Sequence, residues 1–350
     1  MGSETISFEQ ELALSIGALS VVTVNSCTAA MSLCLRVLGI GPGDEVICPS
    51  MTWCSTANAA LYVGATPVFC DIDPASFCAT PETIARHVTE RTRAVMVVHF
   101  GGRAVDVAEL RGKLPKRISI IEDAAHAFGA RYPNGRPVGS SGNMVCFSFY
   151  ANKNLSTGEG GAVALSDSTY ADRLRSLRQH ALPIDAWKRF THPQAVLLSQ
   201  QLTELGYKAN YTDLQAAIGR VQLQRQGEFS IIRRQAAQRY LKRLADFGER
   251  LMVQAGLEHP SHALHLFPVR VTRSASLSRD ELLFALRQKN IGATIHYAPL
   301  HLMPLYHASP QKTLVESEKL AQEILTLPIS ASVTSADIDY ICDHLGALLL

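Results

Sequence analysis

Ile120-Ile121-Glu122-Asp123-Ala124-Ala125-His126 joins an apolar run to two acids and a histidine. A β-branched run that ends in carboxylates marks the carboxyl end of a strand in a largely parallel sheet, where such folds present their ligand-binding groups. An Asp at that place can hold a cationic ring nitrogen. An ordinary helix N-cap before Ala-Ala-His-Ala explains it equally well. Further apolar runs stand outward from it at 45–48, 66–72, 93–100, 144–150 and 161–165, with its own strand at 118–122. Segments of helical period (28–38, 55–62 and 105–114) lie between several of them. This alternation predicts an α/β fold, a mostly parallel central sheet covered by helices on both faces.

The remainder of the 350 residues divides less evenly. Residues 181–209 are polar and loop-like, longer than an ordinary connection. A helical pattern follows from about 212 to 246, with Leu214, Ile218, Val221 and Leu223 on its apolar side and Arg233, Arg234, Gln235, Gln238 and Arg239 on a solvated face. From about Gly248, a strand near 265–271 and helices near 279–289 and 317–326 suggest a small α+β domain. The expected division is a large domain over 1–235 and a small C-terminal domain over 236–350.

Composition narrows the function. Lys plus Arg number 33 against 31 Asp plus Glu, a net of +2, so no cation excess exists to displace phosphate counterions and a nucleic-acid partner is excluded. Apolar residues at 47% and charged residues at 18% argue for a well-filled core and against wholesale disorder. No apolar stretch has the length of a membrane span, and a basic-then-apolar leader is missing. The 8 cysteines include no C-x-x-C pair and no Cys/His set at zinc spacing, so no metal is expected. Free buried thiols in a reducing cytoplasm account for them, and a cytoplasmic protein is the expectation.

Four further stretches carry candidate chemistry. Lys153, after the run 144–150 and before Gly158-Glu159-Gly160-Gly161, could sit desolvated, with its amine pKa lowered toward the nucleophilic form. Alone, an exposed lysine in a Gly-rich hairpin is the better reading. Ser26-Cys27-Thr28 before a helical segment offers hydroxyls and free N–H groups to a phosphate, although a plain N-cap is commoner. Trp53, at the end of the run 45–48, could stack on a flat ring or pack in the core. His296 and Tyr297, in a strand-like stretch, pack more often than they touch a ligand. The order is more specific than any member: phosphate cradle, aromatic, Asp after a strand, then Ser148 and Lys153 before glycines. Together these describe pyridoxal 5′-phosphate binding in a fold-type I enzyme.

In these motifs the chain resembles the DegT/DnrJ/EryC1/StrS family of sugar aminotransferases. The resemblance rests on the stretches 25–30 (NSCTAA), 41–46 (GPGDEV), 121–126 (IEDAAH), 147–161 and 206–217 (GYKANYTDLQAA). It implies a fold-type I transferase in which Lys153 attaches to the cofactor and shuttles the proton, and Asp123 keeps the pyridine nitrogen protonated. His126 would lie near the ring hydroxyl and Trp53 on the ring, with Cys27, Thr28 and Ser148 at the phosphate. Asn210 would reach the phosphate in the neighbouring subunit of a homodimer. The implied reaction moves an amino group from an amino acid, usually glutamate, to a nucleotide-linked keto sugar, for amino-sugar or polysaccharide biosynthesis. Residues 292–301, with His296 and Tyr297, match the family's stretch near the sugar. Residues 185–189 (DAWKR) resemble the branch acting on UDP-linked 4-keto sugars.

Two departures stand beside the resemblance. Residues 1–8 lead almost directly into the helix before the phosphate motif, where relatives usually carry a few dozen more, including a Thr-Thr-Gly-Pro-like turn. A catalytically weak or regulatory paralogue is therefore the alternative. Ala209 and Tyr211 stand where an aromatic and a Met are common. A sugar dehydratase of the same fold has His in place of the lysine, and Lys153 speaks against it.

Overall fold

The computed structural model describes residues 1–182, 202, 204–307 and 313–349. Its main sheet has seven strands: β1 (Ser20–Val24), β2 (Glu45–Pro49), β3 (Thr66–Cys70), β4 (Thr92–Val98), β5 (Ser119–Asp123), β6 (Met144–Ser148) and β7 (Gly161–Leu165). Their order is β1-β7-β6-β5-β4-β2-β3. β2, β3, β4, β5 and β6 pair in parallel, and β7 runs against both β6 and β1. The expected strands therefore form, within two residues at each end. β1 is an addition: the sequence was read as helix up to the phosphate motif, whereas the first helix, α1 (Ser3–Ile16), stops at Gly17 and a five-residue strand follows.

Alternation along each strand sends side chains to two cores. On one face Val95, Val97, Ile120 and Phe147 meet Phe8 and Leu12 of α1 and Leu110 of the helix Val107–Lys113. On the other, Met96, Ile121 and Val163 meet Ala30, Met31 and Cys34 of α2 (Cys27–Val37) and Ala57 and Ala60 of α3 (Cys54–Tyr62). Each large apolar side chain buried in this way contributes roughly 1.5–3 kcal/mol. All eight cysteines are free thiols, seven of them buried and Cys54 half-buried.

A third core lies at the C-terminal end. Strands β8 (Leu251–Val253), β9 (Phe267–Val271) and β10 (Ile324–Leu327) form an antiparallel sheet, and the helices Arg279–Gln288 and Ser335–Leu349 pack on it. The helix expected over 317–326 ends earlier, at Glu323, because Ile324 turns extended and begins β10. The long pattern of 212–246 is two helices, Asp213–Gln224 and Gln226–Leu244, meeting at Arg225. Its expected inner face is turned outward: Leu214, Ile218 and Val221 are exposed, while Ala216 and Gly219 are buried. Arg233, expected in solvent, is buried and donates to the carbonyls of Leu264 and Ile329.

β5 ends in two acids that point to opposite faces. Glu122 is fully buried and accepts from His99 Nε2 (2.8 Å), Tyr132 Oη (2.6 Å), Ser141 Oγ (2.5 Å) and Asn143 Nδ2 (2.8 Å). The Val105 N–H donates to His99 Nδ1, so the proton that His99 directs at Glu122 sits on Nε2. Burial pushes the Glu122 carboxyl up, but the bonds from His99, Ser141 and Tyr132 outweigh it and hold the group below its ordinary value. Its stabilising contribution is therefore complete above the ordinary carboxyl range and lost as pH falls through the lower folded value. Glu122→Leu leaves four donors unpaired and is expected to cost about 3 kcal/mol or more in urea unfolding. Glu122→Gln should flatten the acid limb of the stability–pH curve.

Candidate active site

The carboxyl ends of the parallel strands and the start of α2 enclose a cavity of about 590 Å³. α2 opens on Ser26, whose hydroxyl accepts from the Ala29 N–H (3.1 Å), and Cys27 and Thr28 of its first turn line the cavity. β7 can press against this turn because its first residue is glycine. A Cβ on Gly161 would lie 2.5 Å from the Ser26 carbonyl carbon and 2.6 Å from the Cys27 nitrogen. Ser148, at the end of β6, lines the same wall.

Asp123 is almost fully buried on the cavity side. Its Oδ1 accepts from the Ala125 N–H (3.1 Å) and its Oδ2 from Thr56 Oγ1 (2.7 Å), itself bonded to Thr52 Oγ1. Cys27 Sγ, 3.9 Å from Oδ1, is a thiol whose pKa is raised by burial and by Asp123. None of these hydrogen-bond partners is a cationic side chain, and the carboxyl group lines the cavity together with Lys153.

Lys153 lies in a tight loop after β6, its N–H donating to the Tyr150 carbonyl. Burial pulls its amine below the ordinary lysine value, against the attraction of Asp123 and Cys27. More neutral amine is thus available near pH 7 than on an exposed lysine. Nζ lies 3.5 Å from His265 Nε2.

The opposite wall is aromatic. The Gly101 N–H donates to His126 Nδ1, and His126 Nε2 lies 3.1 Å from Tyr297 Oη. Trp53 stands at the mouth, largely exposed, its ring 5.9 Å from that of Tyr297. His296 pairs with Thr326 Oγ1, and burial, then Lys153, push its pKa down to about 4. His126 is likewise held neutral, first by burial and then by Lys153.

The cavity thus brings together Cys27, Thr28, Trp53, Asp123, His126, Ser148, Lys153, His296 and Tyr297. Asn210 is elsewhere, in a separate depression with Lys208 and Thr212. Residues 185–189 lie outside the described residues. Sequence reasoning missed Thr56, which anchors Asp123, and the pair Asn154 and His265 behind Lys153. Nothing in local sequence singles them out, since His265 meets Lys153 only through the fold.

This donor set suits pyridoxal phosphate: helix-start amides and hydroxyls for a dianion, a buried carboxylate with no cationic hydrogen-bond partner for a pyridinium N–H, and a buried amine for the aldehyde. The sequence model of the DegT/DnrJ/EryC1/StrS aminotransferases matches residues 1–346. The chain belongs to this family. Among its relatives, the spore coat polysaccharide biosynthesis protein SpsC of Bacillus subtilis (strain 168) is 37% identical over 344 residues, covering 97% of this chain and 87% of that protein. The solved structure of DesV from S. venezuelae superposes with a TM-score of 0.87 at 33% identity, covering 99% of this chain and 89% of that one. The aminotransferase TlmJ from Streptoalloteichus hindustanus gives 0.88 at 33% identity, covering 99% and 90%. As a DegT-family member the chain is a pyridoxal-phosphate-dependent sugar aminotransferase. Among the described residues, no helix is long and apolar enough to cross a membrane and no metal-holding cluster occurs.

Proposed function

We propose that this aminotransferase moves an amino group from an amino acid, glutamate by family habit, to a nucleotide-linked 4-keto sugar, UDP- or dTDP-linked, in amino-sugar biosynthesis. The observation that carries the reading is the shared cavity lined by Lys153 and Asp123 beside a phosphate-type cradle. The spore-coat polysaccharide relative supports the sugar class. Bound pyridoxal phosphate would supply an electron-accepting ring. The rest falls to the protein. Cys27, Thr28 and the Ser148 hydroxyl would hold the phosphate, Asp123 would keep the ring nitrogen protonated, and Trp53 would stack on the ring. Lys153 would hold the cofactor through its amine and move the proton at Nζ. His296 and Tyr297 face the sugar. The catalytically weak alternative gains no support from this cavity, which retains both the lysine and the carboxylate. Loading the protein with cofactor and glutamate, then screening nucleotide keto sugars by product mass, tests the reading. Failure to aminate any of them would sink it.

We further propose a homodimer and the division into domains at 235/236. The exposed Leu214, Ile218 and Val221 give an apolar helix face suited to a second copy. Ala236, Ala237, Tyr240 and Leu244 join the C-terminal core, which supports the boundary. In such a dimer Asn210 would serve the partner's phosphate. Asn210→Ala is then expected to weaken cofactor binding about tenfold or more. Mixing it with inactive Lys153→Ala subunits should restore one intact site per hybrid dimer. Absence of any recovery on mixing would contradict the cross-subunit role.

A further inference from the structure

Behind Lys153 lies a chain of hydrogen bonds outside the cavity wall. Asn154 Nδ2 donates to the carbonyls of Ala263 (2.8 Å) and Phe128 (3.4 Å), which fixes the amide so that Oδ1 faces His265 Nδ1 at 3.3 Å. An amide oxygen only accepts, so His265 must carry its proton on Nδ1. Its Nε2 is then a bare lone pair, 3.5 Å from Lys153 Nζ, an amine that always has an N–H to give. The neighbouring His126 has the opposite assignment, because the Gly101 N–H occupies its Nδ1. The two rings lie 4.6 Å apart, yet only His265 offers an acceptor to the lysine in this arrangement.

We propose that His265, locked in its Nδ1–H form by Asn154, is the positioning residue of Lys153, accepting one N–H from Nζ and leaving the nitrogen lone pair turned toward the cavity. His265 is nearly excluded from solvent, so the bond has little competition from water. Burial, and then Lys153, keep the imidazole neutral and therefore an acceptor. The other titratable groups around the amine are Asp123, Cys27, His126 and His296. The inference rests on Lys153 as the reacting amine, but its test uses the cofactor-free chain and can fail while the aminotransferase reading stands.

Ring ¹⁵N spectra of the cofactor-free protein, assigned by the signal lost in His265→Gln, should show Nδ1 of His265 as the protonated nitrogen. A proton on Nε2 overturns the proposal with no functional variant needed. The second arm follows trinitrobenzenesulfonate labelling of Lys153 by peptide mass across pH. In His265→Phe the ammonium loses an acceptor, so its midpoint should fall by about one pH unit. The plateau rate should fall about tenfold as the amine loses its orientation. His265→Gln, which can still place an amide oxygen near Nζ, should recover most of both. A midpoint and plateau unchanged in His265→Phe would overturn the proposal, as would a His265→Gln indistinguishable from a folded Phe variant. Should the Phe variant not fold, the spectrum of the unsubstituted chain decides alone.

Discussion

Lys153→Ala is expected to abolish transamination, lowering turnover about 10⁴-fold or more, since proton transfer by a placed side chain alone contributes up to about that much. The variant should also lose the visible absorbance of the attached cofactor while retaining its fold. Lys153 is a loop residue whose amine reaches into the cavity, so truncation removes little core packing. Glutamate should no longer change the spectrum of the cofactor-treated variant. Retained turnover in a homogeneous preparation would mean that another amine does the chemistry. The same substitution leaves Asp123, Thr56 and the α2 cradle untouched, so cofactor should still bind without attachment, a difference that equilibrium dialysis resolves from absorbance.

Asp123→Asn is the second large effect, with glutamate turnover down about 100-fold or more. Asparagine preserves shape but removes the charge that would face a pyridinium. One of its two positions also becomes an N–H₂ group, which cannot accept from both the Ala125 N–H and Thr56 Oγ1. Cofactor affinity should fall with turnover, because a charge-assisted bond becomes a neutral one. Measuring both on one preparation distinguishes this from a substrate effect, which would raise KM and leave cofactor affinity unchanged. Normal cofactor affinity and turnover in Asp123→Asn would remove the carboxylate from its assigned place.

Glu122 and Asp123 illustrate what sequence could and could not reveal. Their position at the end of an apolar run predicted the strand end and the ligand-bearing edge. It did not separate the roles, which follow from alternation: one acid closes a hydrogen-bonded knot under the sheet and the other faces the cavity. Buried parallel strands were legible because their apolar runs are continuous. β1 was not, because Ser20 and Thr23 dilute a five-residue run beside a helix. The exchange of helix for strand at Ile324 has no glycine or proline to announce it before Pro328. The apolar side of Asp213–Gln224 faces outward at Leu214, Ile218 and Val221, because an apolar stripe does not by itself say which surface covers it. The motif residues Cys27, Thr28, Asp123, His126, Ser148 and Lys153 share one cavity, whereas Asn210 lies in another depression. Thr56 and His265 were missed because hydrogen bonds spanning 67 and 112 residues leave no local pattern.

Lys153 is the proposed attachment point in a cavity whose donors suit pyridoxal phosphate. Borohydride reduction of the cofactor-loaded protein, followed by proteolysis and peptide mass analysis, tests it most directly. A single pyridoxyl group is expected on the peptide carrying Lys153, lost when glutamate is added before reduction. Label on a different lysine, or none after full loading, would contradict it.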